Sequence, residues 1–181
     1  DEELSRVKKI YLPKVDFLMQ VVNKQPKVLD VGCGAGHFVY ACEINKIEAK
    51  GIEPSEELVN LGKNFIKKNN ISKILMEDAY SEITNTDSNV ISLIGVLEHV
   101  RYPRKILESY LKSKAEYLYI LVPIFSLSNF IEKNFLNIFP RHSSGGHTHF
   151  YTEESLNYIA KEFNLKIVGE WWFGQDFADL Y

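Results

Sequence analysis

Short apolar runs alternate with segments of helical period along most of the chain, and this alternation restricts the fold more than any other feature of the sequence. Lys27 to Val31, Ala49 to Glu53, Lys73 to Met76, Val90 to Ile94, Glu116 to Val122 and Leu165 to Trp172 read as strands. Between them lie helical patterns. Leu4, Val7, Tyr11, Val15, Leu18 and Val22 share one face of a first helix that Pro13 divides or kinks. His37 to Asn45 follows, then a helix capped by Ser55 with Leu58, Leu61 and Phe65 facing in. Pro103 opens a helix with Ile106, Leu107, Tyr110 and Leu111 inward, and Thr152 caps one bearing Leu156, Ile159, Ala160 and Phe163. Strands separated by helices imply βαβ crossovers, hence an α/β fold: a doubly wound, mostly parallel sheet with helices on both faces. Ligands of such sheets sit beyond the carboxyl ends of the strands, near the point where strand order reverses.

The loop after the first strand reads Asp30-Val31-Gly32-Cys33-Gly34-Ala35-Gly36. Glycines there permit a tight turn and close approach of a ligand, and the helix that follows directs its amides at polar groups. The second strand ends in Gly51-Ile52-Glu53-Pro54, which puts an acid where it can accept hydrogen bonds from both hydroxyls of a ribose. Two nucleoside cofactors compete at this point. Dinucleotide sites usually read G-x-G-x-x-G, whereas here the third glycine follows the second by two positions. Asp30 would repel a pyrophosphate but favour a sulfonium and an ammonium group.

With these loops in place, the chain resembles the class I S-adenosylmethionine-dependent methyltransferases. Val28 to Phe38 is similar to their first motif and Gly51 to Ser55 to their second. Glu77-Asp78-Ala79 is similar to the adenine-side motif, and Ile94 to Val100 to the segment after strand four. The resemblance runs through nearly the whole chain in order. It implies a Rossmann-like sheet of the seven-stranded methyltransferase type, with S-adenosyl-L-methionine as cofactor and S-adenosylhomocysteine as product. Gly32, Cys33, Gly34 and Gly36 would form the cofactor loop, with Asp30 near the amino end of the methionine part. Glu53 would hold the ribose, Pro54 cover the adenine, and Asp78 with Ala79 read its edge. Gly95 and Leu97 would meet the methionine end. Two departures stand out: the start of strand four, Ser88-Asn89-Val90-Ile91, lacks the aspartate often found there in the family, and a seventh, antiparallel strand is missing, so that it would lie beyond Tyr181 or the sheet would be incomplete.

Methyl transfer needs alignment more than acid-base machinery, so a sparse set of catalytic candidates suits it. His99 follows strand four, and histidine is the side-chain type best suited to exchange a proton near neutral pH, which makes it a candidate base. His147 and His149, with His142 before them, are expected to line the substrate site; alternation in His147-Thr148-His149 would also suit a metal, but no carboxylate lies close in sequence and no metal is assigned. Phe125 to Pro140 is strongly apolar and lies in a possible substrate lid spanning 123–151.

The function expected is methyl transfer to a small-molecule acceptor, such as a glycan or metabolite precursor. A nicotinamide-dependent oxidoreductase and an inactive S-adenosylmethionine-binding module are the alternatives. A net charge of -3 offers no broad footprint for nucleic acid, and no apolar run approaches the ~20 residues of a membrane span. Two cysteines without a C-x-x-C pair suggest reduced thiols in a cytoplasmic protein. The start at Asp1 and the end at Tyr181 suggest a single domain, 1–181, excised from a longer chain.

Overall fold

The computed structural model describes residues 2–64, 66, 70–125 and 146–173. They fall into two compact units, one of Asp1–Val96 with Tyr102–Leu121, the other of Leu97–Arg101 with Val122–Tyr181.

The first unit is built on five parallel strands: β1 (Lys27–Val31), β2 (Glu48–Glu53), β3 (Ile71–Lys73), β4 (Val90–Ile94) and β5 (Tyr117–Leu121). Their order is β3-β2-β1-β4-β5, so the direction of winding reverses between β1 and β4. A helix lies between each pair of successive strands, as crossovers between parallel strands require. All of β4 except Ile94 is buried, which explains its nearly unbroken apolar sequence. The register pairs Asp30 of β1 with Gly51 on one side and Ser92 on the other. Asn89 accepts the Lys27 amide at 2.7 Å and donates to the Gln25 carbonyl at 3.2 Å, so it fastens the start of β1.

The helices of this unit are α1 (Glu2–Arg6), α2 (Leu12–Val21), α3 (His37–Ile44), α4 (Glu56–Lys63), α5 (Met76–Asn85) and α6 (Pro103–Lys112). A π-turn, Val7–Tyr11, joins α1 to α2, with the Leu12 amide reaching back to the Val7 carbonyl. Pro13 falls in the first turn of α2, where its missing N–H costs nothing, so the division expected there is present. Val7, Val15, Leu18 and Val22 are buried against α3 residues including Phe38 and Val39.

Several details differ from the sequence reading. The third strand is Ile71–Lys73 rather than Lys73 to Met76, because the chain leaves the sheet at Ile74 and Leu75 starts α5. Glu77 and Asp78 then occupy the first turn of a helix, where their charge opposes the helix dipole favourably. In α4 the buried residues are Val59 and Gly62, while Leu58 and Leu61 are exposed. A Cβ on Gly62 would stand 2.6 Å from the Ala35 carbonyl oxygen, so the glycine lets α4 approach the loop after β1 and thereby fixes which face points in. Phe65, expected on that inner face, lies outside the described residues. Leu111 is exposed, whereas Ile106, Leu107 and Tyr110 are buried as the pattern required.

In the second unit, α7 (Glu153–Glu162) starts at Thr152, whose hydroxyl accepts the Ser155 amide while the Ser155 hydroxyl accepts the Thr152 amide. Ile124 bridges Tyr151, and the Phe125 amide donates to the Tyr151 carbonyl at 2.7 Å. Leu165 to Trp172 forms no strand among the described residues, and Ile167, Val168, Trp171 and Trp172 are exposed. Its apolar, β-branched pattern suits a strand, but a strand exists only through a neighbour. The lid expected over 123–151 and His142 lie mostly outside the described residues. No helix among the described residues is long and apolar enough to cross a membrane.

Candidate functional site

The loop between β1 and α3 is held from β2. The amides of Gly32 and Cys33 both donate to the Ile52 carbonyl, at 2.8 and 3.1 Å. Glu53, at the tip of β2, completes the arrangement: one carboxylate oxygen accepts the Gly34 amide at 2.9 Å and the other the Ser55 amide at 3.0 Å. The three loop glycines have φ of 67°, 57° and 76° at 32, 34 and 36, a backbone that side chains resist. They differ in surroundings. A Cβ on Gly32 would stand 2.8 Å from Val96 and one on Gly36 would strike Ile71 at 2.0 Å, whereas one on Gly34 would meet nothing within 4 Å. Gly32 and Gly36 are thus demanded by packing, and Gly34 borders open space.

Asp30 is buried below this loop, and its carboxylate accepts the Ser92 hydroxyl at 2.6 Å. Its pKa is pushed up to about 7, mainly by burial; the Ser92 hydrogen bond lowers it and the Glu53 charge adds to the rise. Two acids therefore crowd one end of the sheet. This disfavours a pyrophosphate and favours a ligand with positive charge, so the residues fit S-adenosylmethionine better than a dinucleotide. Cys33 is half-buried and packs between the two hydrophobic clusters; burial, then the Asp30 and Glu53 charges, raise its thiol pKa and keep it neutral.

The other expected cofactor positions are distributed around the sheet. Pro54 is exposed beside Glu53. Asp78 is exposed on the first turn of α5, and Ala79 is buried with its amide already bonded to the Leu75 carbonyl at 3.0 Å. Gly95 ends β4 with φ 68°, its amide donating to the Leu121 carbonyl at 2.9 Å. Leu97 is fully buried and belongs to the second unit.

Sequence reasoning missed Ser92 as the partner of Asp30 and missed the N-terminal contacts to α3. His37 bonds Glu3 of α1 and stacks on Tyr11 at 5.3 Å between ring centres. The β4–β1 register could have located Ser92; nothing in the sequence marks Glu3.

In the second unit, the main chain of Glu98 is clamped by residues 148 and 149. The Glu98 carbonyl accepts the Thr148 amide at 2.8 Å, the Thr148 hydroxyl at 3.1 Å and the His149 amide at 3.2 Å. The Tyr151 hydroxyl donates to the Leu97 carbonyl at 3.2 Å. This brings His99 and His147 together, with ring centres 4.6 Å apart, and Glu98 beside them. Burial raises the Glu98 carboxyl above its ordinary range, while its own amide and the His99 charge lower it. His149 stands apart from that group: its Nδ1 lies 2.9 Å from the Thr148 hydroxyl and its ring stacks toward Tyr151.

Residues 4–170 match the family model described as "Methyltransferase domain". The curated relative "Ubiquinone biosynthesis O-methyltransferase" of Coxiella burnetii is 29% identical over 93 residues, which is 50% of this chain and 39% of that protein. A SAM-dependent methyltransferase from Archaeoglobus fulgidus superposes with a TM-score of 0.63 at 22% identity, covering 88% of this chain and 72% of that one. The N-terminal domain of EvdMO1, solved with SAH bound, gives 0.54 at 15% identity over 62% of this chain and 49% of that one.

Proposed function

Because the chain belongs to the methyltransferase domain family that its residues 4–170 match, we propose that it transfers the methyl group of S-adenosyl-L-methionine to a small-molecule acceptor. The observation that carries this reading is the convergence of Glu53 and the buried Asp30 on an open glycine loop where the strand order reverses. Each Glu53 oxygen uses one lone pair on an amide and keeps another for a ribose hydroxyl. Gly32 and Gly34 bring the backbone to the methionine part, Gly36 turns the chain into α3, and Cys33 fills the loop as a neutral thiol. Asp30 attracts the ammonium end. Pro54 covers the adenine and the Asp78 carboxylate reads its amino group; the Ala79 amide is engaged within α5, so Ala79 contributes packing. Gly95 and Leu97 serve the methionine end.

Bound there, the cofactor supplies an activated methyl carbon on a good leaving group. His99, His147 and His149 serve the acceptor, with His99 as the base candidate when no metal ion occupies its ring nitrogen. An oxygen acceptor on a metabolite or glycan precursor is favoured, in keeping with the name of the Coxiella burnetii relative. The free thiols Cys33 and Cys42 support a cytoplasmic setting.

Titration calorimetry with S-adenosylmethionine, S-adenosylhomocysteine and NAD tests the cofactor. The first two should bind and NAD should not; binding of NAD alone would replace methyl transfer with hydride transfer. Glu53→Ala should weaken cofactor binding by about 1–3 kcal/mol, and unchanged affinity in the folded variant would remove Glu53 as the ribose ligand.

A further inference from the structure

We propose that Glu98, His99 and His147 form a three-ligand site for a divalent transition-metal ion of the zinc type. Each offers one ligand atom, and the three atoms lie within 4.8 Å of one another. Tetrahedral zinc holds nitrogen ligands at about 2.0–2.1 Å, hence about 3.3 Å from each other, so small side-chain rotations would close the set around an ion.

A second observation points the same way. Glu98 is 3% exposed, and its Oε2 is buried without a hydrogen-bond partner. A carboxylate oxygen stranded in this way is costly, and a cation relieves it. The three hydrogen bonds that fix this loop all end on the Glu98 carbonyl, so the side chain is positioned without being consumed. The same clamp sets the distance from Glu98 and His99 to His147. The Gly146 carbonyl lies 3.4 Å from His99 Nδ1, an arrangement that orients the ring and leaves Nε2 as its ligand atom. Gly146 itself has φ 76°, the turn that delivers His147 to the group.

Two imidazoles and one carboxylate suit zinc and its first-row neighbours rather than magnesium or calcium, which take oxygen ligands. Three protein ligands leave a coordination position for water or an acceptor oxygen. The chain thus assembles a ligand set that the spacing of His147 and His149 does not: the third partner comes from Glu98 and His99, and His149 is turned toward Thr148 and Tyr151.

The site is tested on the untagged full chain with Zn²⁺, by equilibrium dialysis and elemental analysis, alongside His99→Ala and His147→Ala. One zinc per chain should be retained by the wild type. Losing an outer-shell partner of a ligand costs about 10–100-fold in affinity, so losing a ligand should cost each variant at least about tenfold, with its circular dichroism unchanged. With Co²⁺ as a visible probe, absorption should appear without a thiolate charge-transfer band, since neither cysteine belongs to the site. No retained zinc in the folded wild type, wild-type affinity in either variant, or a thiolate band would each overturn the proposal. Metal binding does not depend on the cofactor, so zinc retention without S-adenosylhomocysteine binding would count against the methyl-transfer reading alone.

Discussion

The acid and glycine loops at the ends of β1 and β2 are assembled mostly from main chain, with the Ile52 carbonyl and the Glu53 carboxylate collecting consecutive amides. The group of Glu98, His99 and His147 depends instead on side chains separated by up to 49 residues (147 − 98), brought together by hydrogen bonds to one carbonyl. The first kind of site is specified by short stretches of sequence, because backbone conformation follows from glycine and strand pattern. The second is specified only by the fold. The first also stores an electrostatic cost in buried acids, whereas the second stores an unsatisfied carboxylate oxygen.

The largest expected effect comes from removing that electrostatic cost. Asp30 has a folded pKa of about 7 against an ordinary 3.8. A raised carboxyl stabilises the fold fully below the unfolded pKa and loses that contribution as pH climbs through the folded value. Three pK units correspond to about 4 kcal/mol, an upper figure, lost between about pH 4 and 7. Tyr11, Cys33 and Cys42 face or feel Asp30, but burial raises all three above this window, leaving Glu53 as the other acid nearby. Asp30→Asn keeps an acceptor for Ser92 and should flatten the pH dependence of urea unfolding, gaining most at pH 8. Identical curves for the variant and the wild type would show that Asp30 does not carry the charge burden. Since a cationic cofactor favours ionised Asp30, its affinity in the wild type should also rise as pH increases toward 7.

Next in size is a pair of glycine substitutions that sets the two regions against each other. Gly36→Ala combines a positive φ with a Cβ aimed 2.0 Å from Ile71 and 2.7 Å from Ile66, and should cost about 2–3 kcal/mol. Gly146→Ala has the same φ of 76° but meets nothing within 4 Å, so only the backbone penalty of about 1 kcal/mol applies. Urea midpoints of the two variants give the difference directly. Equal losses would mean that backbone strain alone decides both positions and that packing around Gly36 relaxes freely.

This contrast also explains what could be read from the sequence. The parallel α/β arrangement, the Ser55 and Thr152 caps and the positions of Asp30, the glycines and Glu53 followed from periodicity and turn chemistry, which are local. Three features were not legible. Leu165 to Trp172 has the composition of a strand but is not in a ladder among the described residues, and composition cannot provide one. The inner face of α4 is chosen by the contact of Gly62 with Ala35, which reverses the assignment made from Leu58 and Leu61. Glu98 adjoins His99 in sequence, yet its partnership with His147 rather than His149 arises from the clamp on its carbonyl. In the last two cases a tertiary contact overrides a local pattern.

The smallest expected effect isolates that clamp's neighbour. Tyr151 is buried and donates to the Leu97 carbonyl at 3.2 Å. Tyr151→Phe should cost about 1 kcal/mol, the usual net value of one neutral hydrogen bond. Burial, then the Glu98 charge, push the Tyr151 hydroxyl up to about 12, so it keeps its proton through the neutral range. A raised pKa on an acid means stability that is intact below the ordinary value of 10 and lost as pH rises toward 12. The gap between wild type and Tyr151→Phe should therefore stay constant up to about pH 9 and narrow above 10. A gap that already varies between pH 6 and 8 would mean that Tyr151 is coupled to the Glu98 charge more strongly than one hydrogen bond implies, making the second unit as electrostatically driven as the first.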